Sequence, residues 1–173
     1  MKILSVQSRM GIGDTVIFLP FIKALSKKFN SSISILVKEN SKANQYLHQT
    51  KYIDKILTLE RDNKTNNRHG GFFGIFKLAN DLKKYKFDKI FIFNSSLRFN
   101  LVAKISGIPQ IYQYPLFTKN KQHIIEAPKK FLKENLDLDI NEDPEVQIDN
   151  YSISKAAQKF QIGKDTTNIL LGI

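Results

Sequence analysis

The segment with the clearest chemistry is Gly11-Ile12-Gly13-Asp14, set between an apolar run, Ile3 to Val6, and a long helical pattern. A helix N-terminus stabilises an ionised carboxylate, and flanking glycines leave room for a substrate hydroxyl, so Asp14 can act as a general base. Asp is also a preferred N-cap residue, and the local sequence leaves both roles open. The same glycines invite a dinucleotide reading, with Glu39 at the end of the second strand as the ribose-binding acid. The chemistry argues against it: Val16 stands where a third glycine belongs, and Asp14 would meet the pyrophosphate with a negative charge. Asp137, Asp139, Asn141 and Asp143 imitate half of a calcium loop, but Glu142 replaces the required glycine and Ile148 the bidentate glutamate, which makes the run an acidic linker. No metal site is expected. His48 and His69 read as surface histidines, whereas His123 heads a helix after a basic stretch and can touch an anion.

The elements that must position these residues alternate. Strands are expected at 2–7, 32–37, 55–59, 89–93 and 111–114, and helices at 15–29, 41–50, 73–85, 99–105 and 123–134, with a further helix near 154–160. Pro20 cannot donate to the carbonyl of Val16, so the first of these helices should be bent or widened. The polar stretch Arg61 to Gly71 reads as an exposed loop. Strands alternating with crossover helices imply a parallel sheet covered on both faces, an α/β fold of Rossmann-like, three-layer type. Ligands of such sheets bind beyond the carboxyl ends of the strands, where the loops at 11–14, 61–71 and 94–98 converge.

With 173 residues, one domain is expected, and 13 Phe and 6 Tyr supply its core in the absence of Cys and Trp. Lack of cysteine excludes disulfides, thiolate metal sites and Cys nucleophiles. No apolar run approaches the ~18 residues of a membrane span, and the N-terminus lacks a signal-peptide core, so cytoplasmic residence is the default expectation. The net charge of +11 is unevenly placed: residues 1–60 carry +5, residues 61–135 carry +10 and residues 136–173 carry −4. Such a field suits a polyanionic partner, although 23 of the 27 basic residues are Lys and low-GC coding would give the same excess. Nucleic acid is not expected, for want of a recognisable module and of arginines. The segment Phe72 to Phe87, with Lys77, Lys83, Lys84 and Lys86 beside its aromatics, reads as an ordinary crossover helix packed on the core; contact with anionic lipid is the alternative. The last residues, Thr167 to Ile173, read as a strand followed by glycine, either opening a new unit or closing the same sheet.

The run from Lys2 through Gly13-Asp14 to Pro20, the Tyr52-Ile-Asp-Lys-Ile-Leu and Tyr85-Lys-Phe-Asp-Lys-Ile-Phe-Ile segments, Ser106-Gly-Ile-Pro109, His123 and Ile169-Leu-Leu-Gly172 together resemble glycosyltransferase family 9, the ADP-heptose:lipopolysaccharide heptosyltransferases and their relatives. The resemblance implies a GT-B architecture, of which residues 1–165 would be the N-terminal, acceptor-binding domain and residues 166–173 the start of a nucleotide-sugar-binding domain. It implies inverting transfer of a sugar, ADP-heptose being the expected donor, to a lipopolysaccharide core or surface-glycan acceptor, with Asp14 as general base. Arg9, Gly11, Gly13, Arg61, Lys64, Arg68 and His123 would bind the acceptor. No cofactor is implied, since the nucleotide-sugar is a co-substrate held by the second domain. The expected partners are a phosphorylated, lipid-linked saccharide and, transiently, the anionic inner-membrane surface; the protein would be a cytoplasmic or peripheral-membrane monomer, and the 173-residue chain alone would be inactive. Phe18 and Leu19 stand where many members carry threonine, a departure that touches the acceptor pocket. A non-catalytic Rossmann-like module binding an anionic ligand or membrane surface is the alternative.

Overall fold

The computed structural model describes residues 1–8, 11–61, 67–116 and 123–162. Five strands, β1 (Ile3–Val6), β2 (Ile33–Lys38), β3 (Ile53–Leu59), β4 (Lys89–Ile92) and β5 (Gln110–Gln113), form one sheet in the order β3-β2-β1-β4-β5, every neighbouring pair parallel. Strands covered on both faces need apolar side chains at consecutive positions, and β1 is buried along its whole length, Ser5 included. Alternate residues supply two cores. Ile3, Ile33, Ile35 and Phe91 face one way, toward Leu19, Phe21, Ile22, Leu25, Phe131 and Leu132. Leu4, Val6, Leu36, Ile90 and Ile92 face the other way, toward Ile75, Leu78, Leu82, Phe99 and Val102.

The covering helices are α1 (Ile12–Ile17), α2 (Leu19–Phe29), α3 (Ala43–Tyr46), α4 (Phe73–Lys83), α5 (Leu97–Ile105), α6 (Glu126–Leu136) and α7 (Asn150–Lys159). The first core lies beneath α2 and α6 and the second beneath α4 and α5, which gives the expected three layers.

The helix expected over 15–29 is two helices. It begins three residues earlier, at Ile12, and breaks at Phe18, whose N–H closes onto the Thr15 carbonyl at 3.1 Å. The break places Pro20 in the first turn of α2, where a missing N–H costs nothing. It also turns Phe18 inward, edge-on to Phe21 and Phe93. At the other end, α6 starts at Glu126, three residues after His123.

Two further expectations change. His69 is 4% exposed, not a surface histidine, because Asp81 and the Glu60 backbone satisfy its ring nitrogens. The spacing of Phe72, Ile75, Phe76, Ala79 and Leu82 at three and four implies one buried face, and Ile75, Ala79 and Leu82 are in the core, joined by Leu78, but Phe72 and Phe76 face outward together with Phe73. The acidic run after α6 engages lysines: Lys133 pairs with Asp137 and Asp139, and Glu142 pairs with Lys23 and Lys27 of α2. The C-terminal strand expected at 167–173, and with it the domain boundary at 166, lies outside the described residues.

Candidate functional site

Strand order creates the site. The chain leaves β1 toward β2 on one side of the sheet and returns through β4 on the other, so the loops after β1 and β4 diverge and open a crevice at their carboxyl ends. Hydrogen bonds fix both walls. The Gln7 side-chain amide donates to the Asp14 carbonyl at 3.3 Å, tying the first turn of α1 to the end of β1. Across the crevice, Asn94 donates to the Ser8 hydroxyl at 2.7 Å while its amide oxygen accepts the Ser96 N–H at 2.9 Å. From β5, Gln113 donates to the carbonyls of Asn94 (3.1 Å) and Ser96 (2.9 Å), and Asn100 of α5 donates to its oxygen at 2.9 Å.

Gly11 is the N-cap of α1, with φ 142° and ψ 161°, a region open essentially to glycine alone. Its carbonyl accepts the Thr15 N–H at 3.3 Å and the Thr15 hydroxyl at 3.0 Å. Asp14 is therefore not the N-cap but the third residue of the helix. Its half-exposed carboxylate takes no hydrogen bond from the described residues, and one of its oxygens lies 3.6 Å from where a Cβ on Gly11 would sit. The glycine at position 11 thus keeps the carboxylate approachable. Gly13, next to it, is exposed.

The other expected acceptor residues are scattered around this edge. Arg61 is half-buried just after β3, two strands away from β1, a lateral spacing of roughly 10 Å. Arg68 is bound to Asp81 of α4 at 2.8 Å. His123 is exposed, and its Nδ1 accepts the Ile125 N–H at 3.4 Å. Since α6 follows α2 downward to place Asp137 near Lys28, His123 heads α6 on the carboxyl side of the sheet. Arg9 and Lys64 lie outside the described residues.

A clasp that the motif reading missed holds the end of the β3–α4 connection. His69 Nδ1 accepts the Glu60 N–H at 3.1 Å, so the proton of its neutral ring sits on Nε2, 3.2 Å from Asp81 Oδ2. Burial pushes the Asp81 carboxyl up, but hydrogen bonds from His69, Lys84 and Arg68 outweigh that and hold its pKa below the ordinary value. From the start of α5, Arg98 donates to the carbonyl of Gly71 at 2.7 Å and to that of His69. Only glycine fits at position 74, because a Cβ there would fall on the His69 carbonyl group and lie 2.9 Å from the Arg98 guanidinium.

A glycosyltransferase family 9 protein from Veillonella parvula matches 95% of the chain with a TM-score of 0.69 at 16% identity, over 51% of its own length. The E. coli ADP-heptose LPS heptosyltransferase II matches 95% with a TM-score of 0.62 at 15% identity, over 52% of its length. The fold is one found in family 9 glycosyltransferases. An E. coli heptosyltransferase solved with ADP matches 92% of the chain with a TM-score of 0.53 at 11% identity, over 53% of its length. The chain thus spans about half the length of the glycosyltransferases it matches. No protein-family model matches it, and no curated protein does. Among the described residues, no helix is long and apolar enough to cross a membrane.

Proposed function

We propose that this chain is the acceptor-binding half of a heptosyltransferase-like glycosyltransferase, with Asp14 as the general base of an inverting transfer. The observation that carries this reading is the Asp14 carboxylate, held at the switch-point crevice beside a glycine that keeps it open, in a fold shared with family 9 glycosyltransferases. In the proposed step, the acceptor hydroxyl gives its proton to Asp14. Its oxygen forms the new bond at the anomeric carbon from the face opposite the diphosphate. The bond from that carbon to the diphosphate oxygen breaks, and the nucleoside diphosphate leaves with the electron pair. The base contributes by removing the proton as the bond forms, a contribution made in the transition state.

The donor is a nucleotide-sugar, ADP-heptose by analogy with the heptosyltransferases of the same fold, and it is bound by a second domain that begins near residue 166. The acceptor is a phosphorylated, lipid-linked saccharide of the lipopolysaccharide core or another surface glycan, met at the cytoplasmic face of the inner membrane. Gly11, Gly13, Arg61 and His123 meet it in this reading, and the family resemblance adds Arg9 and Lys64 as acceptor-binding residues. Arg68, already engaged by Asp81, supports the loop and is the least available of the set.

The test is kinetic, in a protein carrying both halves. Asp14→Ala should lower kcat by at least about a hundredfold while leaving donor affinity unchanged, as expected for loss of a general base. Retention of kcat within threefold would sink the assignment. The 173-residue chain alone should yield no transfer product from an activated sugar.

A further inference from the structure

The proposed acceptor is anchored in lipid, and the outer surface of the same edge has the features of a lipid-docking face. Phe72, Phe73 and Phe76 are 68%, 76% and 48% exposed, and they touch one another rather than the core: the Phe72 ring lies 5.9 Å from that of Phe73 and 5.6 Å from that of Phe76, both edge-on. Leu97, Leu101 and Ile105 form an exposed strip along α5 at helical spacing. Arg98 brings the two sets together, because its guanidinium grips the carbonyls of His69 and Gly71, immediately before Phe72, while Leu97 precedes it in the chain. Exposed apolar side chains scattered singly need no explanation, but three contiguous aromatics beside an aliphatic strip do.

Charge selects the occupant. Between Phe72 and Ile105 the chain has seven basic and two acidic residues, a net of +5, and Lys77, Lys83, Lys84 and Lys104 are exposed. Aromatics that insert and lysines that remain at headgroup level are the two contributions that together give stable peripheral binding. α7 offers a contrast. It too exposes apolar side chains, Tyr151, Ile153 and Phe160, but it follows the acidic run from Asp137 to Asp149, which an anionic surface repels.

We infer that the Phe72–Phe73–Phe76 cluster, with the Leu97–Leu101 strip beside it, Lys77 next to it on α4, and Lys83, Lys84 and Lys104 toward the far ends of the same two helices, docks this protein on an anionic membrane surface. The inference deepens the proposed function by naming the surface that meets the membrane, and its test involves neither donor nor acceptor. It therefore fails or stands separately from Asp14 catalysis.

The experiment is co-sedimentation of the 173-residue chain with phosphatidylcholine vesicles, with and without phosphatidylglycerol. The wild type should bind the mixed vesicles, more weakly as salt is raised. Phe72→Ser/Phe73→Ser/Phe76→Ser should lose at least about tenfold in partitioning with an unchanged melting temperature, since none of the three rings is in the core. Lys77→Glu/Lys83→Glu/Lys104→Glu should lose a similar factor on the mixed vesicles only, and Tyr151→Ser/Phe160→Ser should bind as the wild type does. Four results would overturn the inference: no binding by the wild type, binding undiminished by the Phe changes, a loss confined to the α7 variant, or a concentration-dependent dimer that the Phe changes abolish without vesicle binding by the wild type.

Discussion

Removing the Asp81 carboxylate tests whether one buried contact, rather than the visible ion pairs, holds the β3–α4 connection. Asp81 accepts from Arg68 at 2.8 Å, Lys84 at 3.3 Å and His69 at 3.2 Å. The Arg68 and Lys84 side chains are 48% and 68% exposed, so solvent screens them and each pair contributes no more than about 0.5 kcal/mol. The His69 side chain is 5% exposed, and Asp81→Ala leaves its Nε2–H without an acceptor, at a cost of about 1–3 kcal/mol. Together these give about 1–4 kcal/mol. For a chain of this length that lowers the melting temperature by about 2–16 °C. Arg68→Ala should cost under about 0.5 kcal/mol. The assay is urea unfolding at neutral pH of the wild type, Asp81→Ala, His69→Leu and the double variant, with a coupling energy of about 1–2 kcal/mol expected between the two sites. If Asp81→Ala costs no more than Arg68→Ala and Lys84→Ala combined, or if the coupling is near zero, the buried bond is not what holds the loop.

Other outcomes follow from the same geometry. Because the Asp81 pKa is lowered in the folded state, its contribution is complete above the unfolded value near 3.8 and drains away as pH falls through the folded value; the stability gap between wild type and Asp81→Asn, followed by thermal melts, should close only below pH 3.8. Gly74→Ala should destabilise by up to about 2 kcal/mol in urea, since a clash with the His69 carbonyl costs about 1–3 kcal/mol against a gain of about 1 kcal/mol in helix propensity. Asp149, whose side chain accepts the Ser152 N–H and hydroxyl at the start of α7, has its pKa lowered to about 2, so the protection factor of the Ser152 amide, taken against its intrinsic exchange rate, should persist until pH falls toward that value and should be smaller in Asp149→Ala above it.

The sheet and its covering helices were legible because runs such as Ile3 to Val6 and Ile33 to Val37 are apolar on both faces, with a single small serine in each, as a strand covered on both sides requires, and because 3.6-residue spacing marks α2 and α4 clearly. Placing the site at the carboxyl edge needed only that topology. The break at Phe18 was half legible: Pro20 announces the disturbance, but where the chain breaks depends on Phe18 finding Phe21 and Phe93, an encounter between distant segments. The burial of His69 and the grip of Arg98 were not legible for the same reason, since the partners of each, Asp81 and the loop carbonyls, are set by how α4 and α5 pack. The outward turn of Phe72, Phe73 and Phe76 was obscured differently. Helical spacing allows a stripe through Phe72, Ile75, Phe76 and Ala79 as readily as one through Ile75, Leu78, Ala79 and Leu82, and only the packing of α4 on the sheet selects the second and turns the aromatics out.

Parallel topology also brings the proposed docking face and the proposed base to one edge. Each right-handed crossover starts its helix at the carboxyl end of a strand, so the first residues of α1, α4 and α5 all gather there. Ile12, Phe73 and Leu97, the opening residues of those three helices, are exposed apolar side chains, and Asp14 lies two residues beyond the first of them. Phe72, Leu97 and Asp14 thus all lie toward the carboxyl edge of the sheet. In the proposed reading, an acceptor can remain anchored in lipid while its hydroxyl reaches the base. The Arg98 clasp then has a functional consequence as well as a structural one. Loosening it should weaken vesicle binding, because the two apolar strips would no longer be held side by side, and Arg98→Lys, which keeps the charge but not the grip on both carbonyls, should bind mixed vesicles less tightly than the wild type.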